Sequence, residues 1–159
     1  MTTDNNNSVV TRYFQQQQTP PGWFDLLSIM IDGMVSNVGE RESQPFLKQT
    51  GEALADRFPL PASRTVGELE QAINAQLTAF GWGVVTLEAT DTGMLLHHQA
   101  LPVSRDADSQ TRWCHALCAI LEGLYSRWLY AQGGDAKLVV QCDRLLSASD
   151  AQFRYYNPQ

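Results

Sequence analysis

Apolar residues between Trp23 and Val38 recur at positions 23, 26, 27, 30, 31, 34, 35 and 38, the three-and-four spacing that lines one face of an α-helix. Phe24 and Ile29 fall off that stripe, so apolar surface wraps much of the cylinder. A helix of this kind is either central to a core or buried against another subunit. Trp23, Leu27, Met30 and Met34 are therefore candidates for an oligomer interface. Pro20-Pro21-Gly22 punctuates the chain just before this helix. A further helix is expected from about Arg41 to Phe58, with Phe46, Leu47, Ala53, Leu54 and Phe58 on one face. Pro45 suits its first turn, where the missing N–H is not needed, and Pro59 and Pro61 stop it. Thr65 and Glu68 have the spacing of a capping box. Val66, Leu69, Ile73, Leu77 and Phe80 then carry a helix to Gly81, placed for a left-handed C-cap.

At Trp82 the period changes. β-Branched residues dominate Trp82–Ala89, with Trp82, Val84, Thr86 and Glu88 on one face. Asp91-Thr92-Gly93 turns the chain back through Met94–Leu101, which makes a hairpin. The strongest helical pattern follows over Thr111–Gln132, with Trp113, Leu117, Ile120, Leu121, Leu124 and Trp128 on a broad face. Ala116, Ala119 and Gly123 form a small-residue ridge on its flank and join the interface candidates. Arg112, His115, Glu122 and Ser126 read as its solvated side. Gly133-Gly134 ends it, and Lys137–Asp143 with Gln152–Tyr156 reads as a second hairpin. N-terminal helices, an antiparallel hairpin, a long central helix and a second antiparallel hairpin make an α+β fold, not a parallel wind. The expected organisation is a polar, flexible arm over residues 1–21 and one α+β oligomerisation domain over 22–159. Within the arm, Val9, Val10, Tyr13 and Phe14 cluster at helical spacing beside the Gln15–Gln18 run.

Charge narrows the function. Eleven basic against 17 acidic residues give a net charge of -6, and no basic cluster is present, so nucleic acid is excluded as a partner. Only 18% of residues are charged while 43% are hydrophobic. That balance favours covering surface with a partner chain. The N-terminus lacks a signal-peptide pattern, and no segment approaches the ~18 apolar residues of a membrane span. A cytoplasmic location without membrane insertion is expected, and the three cysteines (Cys114, Cys118, Cys142) fit a reducing compartment.

Catalytic and metal chemistry find little support. The cysteines show no paired C-x-x-C spacing, and neighbouring His97 and His98 point to opposite faces of a strand. No nucleophile elbow and no glycine-rich phosphate loop occur. Glu88, Asp91, Glu122 and Asp143 are the carboxylates nearest ordered elements, but a domain this small leaves little room for a glycan cleft between two of them. No cofactor is expected. Among the aromatic residues, Trp113 and Trp128 belong to the core stripe. Tyr13, Phe14, Tyr155 and Tyr156 lie near the chain ends and are the candidates for contact with a partner or a glucan.

Two stretches carry a resemblance. Gly81-Trp82-Gly83-Val84-Val85-Thr86-Leu87-Glu88 followed by Leu121-Glu122-Gly123-Leu124-Tyr125-Ser126-Arg127-Trp128 is similar to the D subunit family of bacterial cellulose synthase, in an enterobacterial-type variant with a longer polar N-terminus. The resemblance implies a non-catalytic accessory protein whose dimers assemble into an octameric ring. It implies two alternative roles: guiding nascent β-1,4-glucan, or aligning synthase complexes as a cytoplasmic scaffold with other synthase subunits or a small disordered partner. Within the motifs, Gly81, Trp82, Gly83, Glu122, Gly123, Tyr125, Arg127 and Trp128 read as structural, with Arg127 suited to a carbonyl or a carboxylate. The competing reading is a small-molecule sensor, since helices on an antiparallel sheet can enclose an apolar pocket.

Overall fold

A single glycine separates the first two helices. The computed structural model, which describes residues 9–10, 22–104 and 106–159, ends α1 (Trp23–Val38) and begins α2 (Glu40–Arg57) on either side of Gly39. Gly39 has φ 89° and ψ 158°, a backbone state closed to side-chain-bearing residues, and turns the chain without a loop. Then come α3 (Val66–Phe80), β1 (Val84–Ala89), β2 (Met94–Gln99), α4 (Gln110–Ala131), β3 (Val139–Ser147) and β4 (Asp150–Tyr156). The fold is α+β, as the periodicities indicate. Pro45 is the sixth residue of α2, not part of its first turn, because the helix starts directly after Gly39. At α3 the Thr65 Oγ1 accepts from the Glu68 N–H at 3.1 Å, and Glu68 Oε2 accepts from the Arg64 N–H at 2.7 Å. The capping box thus closes one residue further back than its usual form.

The four strands form one antiparallel sheet in the order β1-β2-β4-β3. Each half is a helix followed by a hairpin, α3-β1-β2 and α4-β3-β4, and the halves meet where β2 pairs β4. Leu96 lies opposite Phe153 on that seam, and both are fully buried. The same device closes both outer edges. On α3, Asn74 accepts from the Val85 N–H at 2.7 Å and donates to the Val85 carbonyl at 2.9 Å, while Glu70 accepts from the Leu87 N–H at 2.8 Å. On α4, Ser126 accepts from the Val140 N–H at 3.0 Å and Glu122 from the Cys142 N–H at 2.9 Å. In each case two side chains four residues apart on a helix serve N–H groups two residues apart on a strand. The match is geometric: four helical residues rise about 6 Å and two strand residues about 6.6 Å. Unpaired edge N–H groups invite strand addition, and those of Val85, Leu87, Val140 and Cys142 are occupied. Glu122 and Ser126 are therefore not a solvated face of α4 but its bond to β3.

α4 is buried on nearly every side, between the sheet and α2. The α2–α4 crossing is close enough to exclude side chains. A Cβ on Gly123 would lie 1.9 Å from the Lys48 carbonyl oxygen, and one on Gly51 would lie 1.9 Å from the Ile120 carbonyl oxygen. Leu47, Ala116 and Ala119 pack around this crossing. Ala116, Ala119 and Gly123, proposed from sequence as an oligomer interface, are thus covered within the chain by α2. A small-residue ridge indicates close helix approach but does not say whether the other helix belongs to the same copy.

The crossing generates a test. Gly123→Ala must force the two backbones apart, an overpacking cost of roughly 2–4 kcal/mol. Gly33→Ala on α1, where nothing lies within 4 Å of the added methyl, removes a helix-interior glycine and adds about 0.5–1 kcal/mol. Urea unfolding followed by circular dichroism should show midpoints moving in opposite directions.

Candidate functional site

The two sequence motifs are joined at one buried histidine. His98, on β2, is fully buried. Its Nε2–H donates to the Trp82 carbonyl at 2.6 Å, and its Nδ1 accepts from the Tyr125 hydroxyl at 2.6 Å. This tautomer follows from the partners, since a carbonyl can only accept. Burial, the largest influence, lowers the His98 pKa from 6.5 to about 4, and only the bond to Trp82 and the charge of Asp150 oppose it. Burial likewise holds the Tyr125 hydroxyl well above its ordinary value. The neutral pair is a satisfied core link rather than an acid–base couple open to substrate. Neighbouring His97 turns to the other face and meets Asp150 at 2.7 Å.

The polar positions of the 121–128 motif tie α4 to the elements around it. Glu122, besides holding β3, pairs with Lys48 of α2 at 3.1 Å. Arg127 Nε and Nη2 grip the Asp56 carboxylate at 2.9 and 3.2 Å, which resolves its expected partner as a carboxylate and raises its pKa. Trp128 is buried, and its indole N–H donates to the Phe58 carbonyl at 2.9 Å. On the other motif, Gly81 adopts the left-handed C-cap. Gly83, at φ 91°, lets the backbone pass where a Cβ would lie 2.1 Å from the Gln99 carbonyl oxygen. Trp82 packs against Phe80, itself edge-on to Phe58.

Chemistry open to solvent lies elsewhere, on α1. The helix attaches to the core through Phe24, which stands edge-on to Trp113 with ring centroids 4.8 Å apart. Phe24 is one of the two residues read as off the stripe. Most of the stripe's N-terminal half faces outward: Trp23, Leu26, Leu27 and Met30, with Ile29 beside them, are between 48% and 69% exposed, while Ile31 packs on the core. Met34 is half-buried and, with Val38, Glu42, Ser43 and Phe46, lines a groove of about 620 Å³ where α1 turns into α2. Of the seven residues proposed as an interface, the four on α1 lie together at or beside this face and the three on α4 do not.

The proposed end-of-chain contacts divide. Tyr155 is buried, with its hydroxyl against Gly134, so it belongs to the core and is not free for a partner. Tyr156 is half-buried, held by Gln141 and covered by the Arg154 guanidinium 4.6 Å from its ring centre. Tyr13 and Phe14 lie outside the described residues. Sequence reasoning missed the edge clamps Glu70 and Asn74. Their signal is an Asn and a Glu one turn apart on a helix that leads straight into a hairpin. Among the described residues no group of three His, Cys, Asp or Glu side chains is arranged to hold a metal, and no helix is long and apolar enough to cross a membrane.

A family model for the cellulose synthase D subunit matches residues 9–156. The chain belongs to the cellulose synthase D-subunit family. Among its relatives, a Cellulose synthase operon protein D from Komagataeibacter xylinus is 35% identical over 100 residues, 61% of this chain and 62% of that protein. One from Komagataeibacter sucrofermentans is 35% identical over 91 residues, 55% of this chain and 56% of that one. The match thus spans about three-fifths of the length of these relatives. A solved chain, trafficking protein particle complex subunit 3 from Naegleria fowleri bound covalently to palmitic acid, aligns with a TM-score of 0.48 at 14% identity. It covers 84% of this chain and 94% of that one. In this member of the D-subunit family both resembling motifs fall on the buried hub around α4, not on the exposed face of α1.

The histidine link sets a pH dependence. Unfolded, His98 takes a proton near pH 6.5; folded, it resists until about pH 4. The unfolded state therefore binds more protons between those values, and stability falls as pH drops through that window, by up to ~3 kcal/mol. Thermal unfolding from pH 7 to pH 4.5 should show a steeper loss in the wild type than in His98→Gln. Parallel curves would remove His98 from the account.

Proposed function

We propose that the chain is a non-catalytic accessory component of bacterial cellulose synthase that acts by assembling with copies of itself. The observation that carries this is the outward apolar face of α1: five large side chains, Trp23, Leu26, Leu27, Ile29 and Met30, about half or more in water. Membership of the D-subunit family supports the setting. Leaving such a patch in water is unfavourable, and a second copy removes it at ~25 cal/mol per Å² of apolar area.

The size of the face says what else takes part. A 16-residue helix is about 24 Å long and ~10 Å across, so its outer face offers on the order of 250 Å². A stable interface needs ~800 Å² per partner. The remaining area is drawn from the groove around Phe46, which is 59% exposed, and from Val9 and Val10 of the N-terminal arm, also exposed. Dimers formed in this way close into a ring of eight, on the cytoplasmic side of the membrane-embedded synthase, and organise synthase complexes for ordered fibril export. A scaffold role fits the surface better than a glucan conduit. The exposed face is aliphatic around a single Trp, whereas sugar rings are gripped by several flat aromatic faces. Tyr155, one of the aromatics considered for glucan, is in the core. A sensor role has less support: Leu96, Leu121, Leu124, Tyr125, Trp128 and Phe153 are all fully buried and fill the space between α4 and the sheet where an enclosed pocket would sit.

Light scattering coupled to size-exclusion chromatography should give a discrete oligomer for the wild type. Leu27→Glu with Met30→Glu should give a monomer whose thermal unfolding retains the far-ultraviolet signal of the folded protein, since both side chains are already exposed. The same pair in a cellulose-producing host should leave polymer made but poorly bundled. A wild-type monomer at tens of micromolar, or an unchanged oligomer in the double variant, would exclude α1 as the assembly face.

A further inference from the structure

Three thiols, two from α4 and one from β3, lie at one seam. Cys114 and Cys118 are one turn apart on α4 and buried, whereas Cys142 comes from β3 and is partly exposed. The Cys142 N–H donates to Glu122, one turn after Cys118, and this bond seats β3 against α4 at that level. Cys142 packs on the core cluster that contains both helical cysteines. Cys118 lies one turn before Glu122 on the same side of α4, so the bond to Glu122 brings Cys142 alongside it. Neither the family reading nor the assembly face makes any use of this cluster.

We propose that Cys142 and Cys118 form a peroxide-responsive pair that closes a disulfide between β3 and α4. Position selects the pair. Side chains at i and i+4 of a helix keep their Cβ atoms about 5–6 Å apart, whereas a disulfide needs ~3.5–4.5 Å. Cys114–Cys118 is therefore disfavoured, and the bond forms across the two facing elements. Exposure selects the order, because Cys142 is the thiol that solvent reaches. Cys118 shifts both of its neighbours down, Cys114 to about 7 and Cys142 below its ordinary value, so exposure and not acidity singles out Cys142. Bonding to Cys114 and Cys142, with burial, holds Cys118 protonated well above its ordinary value.

The chemistry balances with one peroxide. The Cys142 thiolate attacks a peroxide oxygen: the S–O bond forms as the O–O bond breaks, and the departing hydroxide takes up a proton to leave as water. Cys142 is then a sulfenic acid, oxidised by two electrons. The Cys118 sulfur attacks it: the S–S bond forms, the S–O bond breaks, and the Cys118 proton leaves with the hydroxide as a second water. Two thiols and one peroxide give one disulfide and two waters. The product reinforces, with a covalent bond, the edge of the sheet that Glu122 already holds.

The test uses the full reduced chain exposed to hydrogen peroxide, with remaining thiols blocked by iodoacetamide before digestion and mass spectrometry. The expected product joins the Cys118 and Cys142 peptides, two hydrogens lighter than their sum, within one chain on a non-reducing gel and reversed by dithiothreitol. Cys114→Ser should retain the link. Cys118→Ser should leave Cys142 as a sulfenic acid that dimedone traps. A wild-type map in which all three thiols remain alkylatable overturns the proposal. So does one in which Cys142 is oxidised without joining Cys118, or in which the link involves Cys114 or a second copy. The wild-type map decides the matter even if a serine variant folds poorly.

Discussion

The close approach of α2 and α4 is the constraint on which the other features rest. Two helices whose backbones nearly touch cannot slide or rotate without collision, because Gly51 and Gly123 each sit under a carbonyl of the opposite helix. That contact fixes α4 as a rigid post. The remaining polar bonds of the motif can then be short and specific: Arg127 to Asp56, Trp128 to the Phe58 carbonyl, Tyr125 to His98. With α4 fixed, its far side places the edge of β3, and through the sheet order the position of every strand follows. A string of residues that suggests a site in one dimension is, in space, a set of ties radiating from one helix.

α1 stands apart from this arrangement. It follows one positive-φ glycine and precedes another, and it is anchored in the core chiefly by Phe24. Its loose tenure and its outward apolar stripe have one cause. α2 and the sheet cover most of the post, so the first helix buries only a narrow edge, Phe24 against Trp113 with Ile31 beside it. Excess apolar surface here results from a core that draws little more than that from α1.

Much of this is legible in the residues. Helix and hairpin positions emerge to within a few residues because the spacing of apolar side chains changes sharply at Gly81 and again near residue 110. Apolar surface beyond the needs of one core is also legible, on α1. Direction is not. Periodicity defines a stripe but does not say which neighbour it meets, so the ridge of Ala116, Ala119 and Gly123 reads as an interface when it faces α2, and Phe24 reads as off the stripe when it is the anchor. Tyr155 suggests a surface position because it is near the C-terminus, yet β4 is a central strand. The edge clamps are invisible for a different reason. Asn74 and Glu70 are ordinary helix residues until the strand they serve has folded beside them.

Those clamps carry a consequence for how copies can meet. Where helix side chains take the N–H groups of Val85, Leu87, Val140 and Cys142, the edges offer no template for main-chain zippering, and the rest of β3 is interrupted by irregular register after Cys142 and again after Leu145. Crowded copies are thereby steered away from the open-ended stacking that exposed strands promote, and towards contacts whose angles are set by side chains on helices. Such contacts have a fixed geometry, and repetition of a fixed angle can stop itself after a small number of units.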